Sequence, residues 1–336
     1  MRFTAGGAYV YMLTFTAKDG MLVIGDNSST SSGGNARNNL ASVPMDEWVN
    51  LRVEIYSGDA EQFRVKIYIN GRCLVMSNNF YGSEGSNATP NTKITSIVFY
   101  GMEKAGSTLY LDDFEGDITN DKFSDEDYEG IVESNERFYD FEDERFDFVS
   151  VETSFAGSYI GISDEVAKDD YSLVLHKEST DGNRDHYVFG APEIKSDTLT
   201  LSFDVNFDYA SGGGMQIAMG TWGKSPYVLN VMYKDGAYML GCTRNTADTA
   251  ATVVFDGGEL SAGWHNIRIT MTITDDPDEF CADIYLDDEL VVSSADFYHG
   301  GKDGAVPATN VPEITFKLLK QFIGDVYLDN VHMIYE

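Results

Sequence analysis

The sequence WHNIRI at residues 264–269 repeats, with conservative changes, the sequence WVNLRV at residues 48–53. The motifs that follow keep their order in both places: IYIN at 67–70 corresponds to IYLD at 284–287, and LYLDDF at 109–114 to VYLDNV at 326–331. The offset is 216 residues at the tryptophans and 217 at the later motifs. A period of that length predicts two whole domains of one fold, because solenoids repeat every 20–50 residues or so.

Alternation of apolar and polar residues is the dominant local pattern around these motifs. It is clearest in LTLSFDV at 199–205 and IRITMTI at 267–273. Each run predicts a strand with one buried face. Asn-Gly and Asp-Gly pairs at 70–71 and 235–236 are typical of tight hairpins. Short strands separated by such turns, with no helical stripe, predict an all-β fold, either an antiparallel sandwich or a barrel.

The repeat also divides the chain into unequal parts. Residues 119–137 are acidic and polar and are interpreted as a solvated linker, with a short helix over 125–133 as the alternative. The second domain, 138–336, begins with about 75 residues that have no counterpart in the first, 1–118. The first domain is therefore expected to lack its opening strands and to expose unpaired edges. A fragment of a longer polypeptide is favoured; a naturally minimal sandwich, or one that borrows strands from another chain, is the alternative.

Composition excludes several classes of function. The chain has 336 residues and a net charge of −32, which repels phosphate backbones and disfavours nucleic-acid binding. No apolar run is long enough for a membrane helix, and the N-terminal residues do not form a signal peptide. Three cysteines without a CxxC pair argue against zinc. A disulfide between Cys242 and Cys281 requires that their strands be neighbours.

Several motifs of the second domain carry a family resemblance. DFE at 140–142, LSFDV at 201–205, GWHNIR at 263–268 and VYLDNV at 326–331 resemble the concanavalin A-like, laminin-G-like jelly rolls. They are also similar to the β-sandwich carbohydrate-binding modules of bacterial secreted proteins. The resemblance covers nearly all of 138–336 and most of 8–118. It implies two related antiparallel jelly-roll β-sandwiches, the first incomplete at its N-terminus.

The resemblance also implies a structural calcium ion near Glu142, in the opening segment, and Asp329, in the closing strand. Related modules often have a second Asp where this chain has Asn330. A hydrogen bond from Asp329 to the opening strand is the alternative role for that carboxylate.

Aromatic residues are the candidates for ligand contact. Trp48 and Trp264 occur in both copies and are interpreted as packing residues of the scaffold. Trp222 lies in a glycine-rich stretch and has no repeat partner, so Trp222 with Tyr227 is the predicted exposed platform for a sugar ring. A loop anchor packed on the sandwich is the alternative for Trp222.

No catalytic constellation is recognised. The nearest acidic string, DIYLDDE at 283–289, lacks the spacing of glycosidase carboxylates, and the five histidines pair with no recognisable nucleophile motif. The leading hypothesis is therefore a non-catalytic, carbohydrate-binding module pair of a secreted or surface-attached bacterial protein. It would bind a glycan or polysaccharide and follow upstream domains of the same polypeptide. The alternatives are a structural spacer or adhesion array and a fragment of a glycoside hydrolase.

Overall fold

A computed structural model gives the fold of the chain. It describes all residues except 6–7, 19–20, 30–34, 46, 57–63, 71, 78–93, 101–107, 117–131, 134, 143–149, 153–157, 179, 181–185, 191–195, 209–212, 222–223, 246–249, 275, 277, 299–310 and 312. Every regular element in the described part is a β-strand, which confirms the predicted all-β class. No helix in that part is long and apolar enough to span a membrane.

The first unit contributes eight strands. They are β1 (Arg2–Ala5), β2 (Ala8–Lys18), β3 (Met21–Ser29), β4 (Asn35–Pro44), β5 (Leu51–Tyr56), β6 (Arg64–Ile69), β7 (Arg72–Ser77) and β8 (Ser96–Val98). One antiparallel sheet has the order β8–β1–β2–β3–β4. A separate three-stranded sheet has the order β5–β6–β7.

The second unit contributes sixteen strands. They are β9 (Val132–Glu133), β10 (Glu136–Tyr139), β11 (Ser150–Glu152), β12 (Tyr159–Ser163), β13 (Ser172–Lys177), β14 (His186–Gly190), β15 (Thr198–Asp208), β16 (Gly214–Thr221), β17 (Lys224–Lys234), β18 (Ala237–Asn245), β19 (Ala250–Leu260), β20 (His265–Thr272), β21 (Cys281–Leu286), β22 (Glu289–Ser294), β23 (Glu313–Leu318) and β24 (Gly324–Tyr335).

These strands form two antiparallel layers. One layer has the order β11–β14–β23–β16–β17–β18–β19. The other has the order β12–β13–β24–β15–β20–β21–β22, and β10 pairs with the far half of β24. Phe203 on β15 contacts Phe316 on β23 edge to face at 5.0 Å, so the core lies between the layers. This arrangement is an antiparallel β-sandwich.

Alternation explains the core of the second unit. Leu199, Leu201, Phe203 and Val205 of β15 are fully buried, while the intervening Thr200 and Ser202 are only partly buried. Because side chains of a strand point to opposite faces in turn, this pattern directs one face of β15 into the sandwich. The two alternating runs predicted as strands lie where expected: residues 199–205 lie in β15, and residues 267–273 lie in β20 and extend one residue beyond its end.

Strand bounds in the two units coincide at the offsets of the sequence repeat. β2 and β3 lie 216 residues before β17 and β18, and β6 and β7 lie 217 residues before β21 and β22. Registers coincide as well: Leu51 pairs with Ile69 in β5–β6, as Ile267 pairs with Leu286 in β20–β21. A register shift at Ile67/Tyr68 has its equivalent at Ile284/Tyr285. These coincidences support the predicted repeat.

Local side-chain contacts recur at the same positions. The guanidinium of Arg52 lies 3.7 Å from the centre of the Tyr68 ring, and that of Arg268 lies 3.8 Å from the Tyr285 ring. The Asn50 N–H donates to Asn70 Oδ1, as the Asn266 N–H donates to Asp287 Oδ1. Both hairpin residues, Asn70 and Asp287, have left-handed backbones, which the tight turns require.

The largest difference between the units concerns β24. Residues 109–114, its counterpart in the first unit, form no strand and are exposed throughout. Trp48, expected as a packing residue, is 72% exposed, whereas Trp264 is partly buried. The packing prediction for Trp48 is therefore wrong.

Three further details bear on the sequence predictions. β9 and β10 begin inside the segment predicted as linker or helix, because Glu136 and Arg137 pair with Ile334 and Met333 of β24. β4 pairs with β11 and β12 at single positions, which joins the larger sheet of the first unit to the second unit. Cys242 and Cys281 are free thiols on strands that do not pair with each other, so the conditional disulfide does not form.

Candidate functional site

The two predicted calcium ligands lie beside unusual backbone positions. Phe141, just before Glu142, has φ 65°, and Asn330, just after Asp329, has φ 48°. A positive φ is strained for a bulky residue such as Phe and is found where the surrounding fold enforces it. Phe141 is fully buried, so its packing holds the adjacent Glu142 in place.

Backbone N–H groups of residues 168–171 hold both carboxylates. Glu142 accepts hydrogen bonds from the N–H groups of Asp170 at 3.1 Å and of Tyr171 at 3.2 Å. Asp329 accepts from the N–H of Lys168 at 3.2 Å and from its neighbour Asn330 at 2.8 Å. The structure therefore brings the two predicted residues to one loop of the second unit.

Asp204, on β15, is a third acid of this cluster that the sequence predictions missed. Its carboxylate accepts from Lys168 Nζ at 2.8 Å, Asn330 Nδ2 at 2.9 Å and Asn266 Nδ2 at 2.9 Å. Asp204 is directly opposite Asp329 in the β15–β24 ladder. In the sequence LSFDV at 201–205, Asp204 takes a polar position of the alternating pattern, which is typical of an ordinary outward-facing residue of a strand.

Burial dominates the electrostatics of this cluster. It raises the pKa of Asp329 to about 7, against the hydrogen bonds from the Asn330 and Lys168 N–H groups, and repulsion from Glu142 and Asp204 adds to the rise. Burial likewise raises the pKa of Glu142, partly offset by the N–H groups of Tyr171 and Asp170. A bound cation would favour the ionised form of both groups.

The carboxylate and amide oxygens around Glu142 and Asp329 are of the kind that binds a hard divalent cation, but few of them are carboxylates. Carboxylates and amide oxygens are the ligands that calcium prefers, and six to eight oxygens are typical. In the described part of the chain, no three His, Cys, Asp or Glu side chains form a group suited to hold a metal ion, and this includes Glu142, Asp204 and Asp329. Backbone carbonyls would have to supply the remaining ligands, so the calcium site stays a prediction.

The structure describes only one of the two residues predicted to form an aromatic platform, Trp222 and Tyr227. Trp222 lies outside the described residues, and its role stays a prediction. Tyr227 is fully buried, with its ring centre 6.2 Å from that of Phe280, so its assignment as an exposed ligand contact is wrong. Tyr227 shares the inward direction of Leu229 and Val231 on β17, and the alternation of that strand accounts for its burial.

A row of polar side chains lies on the outward face of the layer that contains β16, β17 and β18. Gln216 Nε2 donates to Asn230 Oδ1 at 2.9 Å, and Asn230 Nδ2 donates to Thr243 Oγ1 at 2.8 Å. Thr315 and Lys317 of β23 share the direction of the row, since the intervening Ile314, Phe316 and Leu318 point into the core. We call these five residues the polar row.

The polar row is little exposed to solvent although it points away from the core. Asn230 is 1% exposed, and Thr243, Thr315 and Lys317 are also buried. The sequence does not reveal the row, because its members are distant from one another along the chain. The available signal was a single amide in each of two strongly apolar strands, MQIAM at 215–219 and VLNVM at 228–232.

Ser261, His265 and Asp287 lie in the order of a Ser-His-Asp triad, but a backbone carbonyl oxygen also lies beside the histidine. His265 Nδ1 lies 2.7 Å from Asp287 Oδ2, and His265 Nε2 lies 3.1 Å from Ser261 Oγ. The Ser261 carbonyl oxygen is also 3.1 Å from Nε2, and it can only accept a hydrogen bond. A hydrogen on Nε2 would be donated to that carbonyl oxygen, and Nε2 could then not accept from Ser261 Oγ. Burial alone would raise the pKa of Asp287, but hydrogen bonds from His265 and the Asn266 N–H lower it.

No protein-family model matches the chain, and no curated protein does. Among solved structures, the cellulose-induced protein Cip1 is 12% identical, with 58% of this chain and 95% of that chain covered and a TM-score of 0.40. Domain 4 of AbnA, a GH43 extracellular arabinanase from Geobacillus stearothermophilus, is 12% identical over 54% and 77%, with a TM-score of 0.33. Alginate lyase vAL-1 from Chlorella virus is 9% identical over 53% and 90%, with a TM-score of 0.35.

Proposed function

We propose that the second unit binds a glycan without covalent chemistry, through the polar row on its outward face. The observation that carries this proposal is the continuous hydrogen-bonded line from Gln216 through Asn230 to Thr243. Amide and hydroxyl side chains fixed in such a line offer donors and acceptors at defined positions. Sugar hydroxyls need that combination of both kinds of group.

Gln216 is the half-buried member of the polar row and the other four members are buried, so a glycan would reach the row at Gln216. A buried hydrogen-bonded network is stronger than one in bulk water, and each member is held in one orientation by its neighbours. Lys317 is buried beside Gln216 in the β16–β23 ladder.

A glycan array probed with the full chain tests the proposal. The test variant is the pair Gln216→Leu and Asn230→Leu, which removes both partners together and so leaves no orphaned amide between them. The matched control is Thr270→Val on β20, a partly buried polar position of the opposite layer. We expect the full chain and the control to bind and the double variant to lose binding by about tenfold or more, since the loss of a ligand hydrogen bond of 1.4 kcal/mol is a factor of ten.

Two results of that array would contradict the proposal. Undiminished binding by the double variant would place the glycan elsewhere, with Trp222 the next candidate. The absence of binding by the full chain to any glycan would favour the alternative of a structural spacer.

We also propose a structural calcium ion at Glu142 and Asp329. Calcium should raise the midpoint of thermal unfolding and EDTA should lower it, because a ligand that binds only the folded state stabilises it. Glu142→Gln should remove this response of the unfolding midpoint to calcium. Asp164→Asn, at an exposed position of the loop between β12 and β13, should keep it. An unfolding midpoint that is the same in calcium and EDTA would rule the ion out.

A further inference from the structure

The first unit exposes a set of large apolar side chains whose counterparts in the second unit are buried or, for Trp264, partly buried. Leu109, Leu111 and Phe114 are 58%, 57% and 66% exposed, whereas Val326, Leu328 and Val331 are fully buried. Phe99 is 40% exposed, whereas its counterpart Phe316 is fully buried. We call Trp48, Phe99, Leu109, Leu111 and Phe114 the open face. Exposed apolar patches of this kind mark interaction surfaces.

The second unit shows which strand covers these positions. β15 lies between β20 and β24 and pairs with both along most of its length. Phe203, at the centre of β15, contacts Phe316 at 5.0 Å. The counterparts of β20 and β24 in the first unit are β5 and residues 109–114. Among the described strands, only β6 pairs with β5, and none pairs with 109–114.

Residues 109–114 keep one local feature of the closing strand, although none of the described strands pairs with them. Asp113 has φ 49°, as Asn330 has φ 48°. The Asp113 N–H donates to Asp112 Oδ1 at 2.9 Å, as the Asn330 N–H donates to Asp329 Oδ1 at 2.8 Å. The backbone at Asp112 and Asp113 therefore has the local conformation that its counterpart has beside β15.

We propose that the open face is the docking surface for a β-lobe of the same type as residues 138–207, donated by polypeptide outside residues 1–336. One strand of the lobe inserts between β5 and residues 109–114, as β15 does in the second unit. Added strands bind through main-chain hydrogen bonds, while alternate side chains provide specificity. A second copy of this chain is a poor donor, because its own β15 is already paired on both edges.

The proposed lobe has a stated chemistry. Its inserted strand alternates apolar and polar residues and carries a large apolar side chain where β15 has Phe203, since that residue must cover Phe99. The lobe also carries a basic residue where the second unit has Lys168. In the second unit the Lys168 N–H donates to Asp329 at 3.2 Å, and the acids Asp112 and Asp113, at the positions of Asp329 and Asn330, are exposed.

A grafted chain tests the proposal. Residue 1 corresponds to residue 217, so a second copy of residues 138–216 is placed directly before Met1 of the full chain. Hydrogen exchange, followed by mass spectrometry, then measures protection of residues 51–56 and 109–114. The matched control carries Leu201→Asp and Phe203→Asp in the added copy only, which spoils the apolar side of its inserted strand.

We expect the graft to slow exchange in both segments by roughly tenfold or more relative to the ungrafted chain, and the control graft not to do so. Leu111→Asp in the grafted chain should reduce this protection. Leu290→Asp, at an exposed apolar position of the second unit, should leave it unchanged. Equal exchange in the graft and its control would overturn the proposal. Self-association of the ungrafted chain that protects the same segments would also overturn it, because a second copy would then cover the open face.

Discussion

The protonation of a single residue, His176 on β13, affects the stability of the second unit. Its Nδ1 lies 2.6 Å from Asp325 Oδ1 on β24, and its Nε2 lies 2.8 Å from Glu178 Oε2. Burial alone would lower the pKa of His176, but the two carboxylates together raise it. The protonated ring therefore ties β13 to β24.

Stability should consequently depend on pH through His176. A pKa raised in the folded state gives stabilisation that is complete below the ordinary value of about 6.5 and is lost as pH rises through the folded-state pKa. Urea unfolding of the full chain and of His176→Gln should differ most near pH 5, and the difference should shrink toward pH 9. A difference that is constant over this range would contradict the assignment.

At the residue scale, alternation predicted the core better than it predicted the site. The parity of β17 already places Tyr227 with Leu229 and Val231, so its burial could have been read from the sequence. Glu142 and Asp329 were identified through the family resemblance, and the structure does bring them to one loop. Asp204 and the polar row could not be predicted, because the contacts that define them join strands far apart in sequence.

At the scale of elements, β16 must approach β17 closely at its first residue. A Cβ atom on Gly214 would lie 1.9 Å from the carbonyl oxygen of Val231. Met232, its pairing partner, follows directly on β17. This contact excludes any side chain at Gly214 unless the backbone of one strand moves.

Gly214→Ala should therefore destabilise the second unit by about 1–3 kcal/mol, the usual cost of forcing atoms into a packed site. Gly116→Ala is the matched control, since a Cβ atom there would have no neighbour within 4 Å. Denaturant unfolding of the two variants provides the comparison. Equal stability of both variants would show that β16 has room for a side chain.

The sequence predicted the strands where alternation and turn pairs coincide, as in β15 and β20. It placed the start of β10 too late, because Glu136 and Arg137 are polar and only their pairing with β24 makes them a strand. The pattern of 109–114 equals that of its counterpart in β24, yet no strand forms there. An apolar pattern forms a strand only when neighbouring strands satisfy its backbone groups.

At the scale of the whole molecule, the two units should respond unequally to the same substitution. Phe316→Ala should cost about 3–5 kcal/mol, because Phe316 is fully buried between β15 and β14. Phe99→Ala should cost under about 1 kcal/mol, because Phe99 lies on the open face. Equal losses in denaturant unfolding would contradict the difference between the units.

Hydrogen exchange of the full, unmodified chain is the most direct test of the central claim, that one fold occurs twice and is closed only in the second unit. We expect strong protection of residues 199–205 and 326–334, with rapid exchange of residues 109–114 and of the outward N–H groups of β5. Protection of 109–114 equal to that of 326–331 would contradict it.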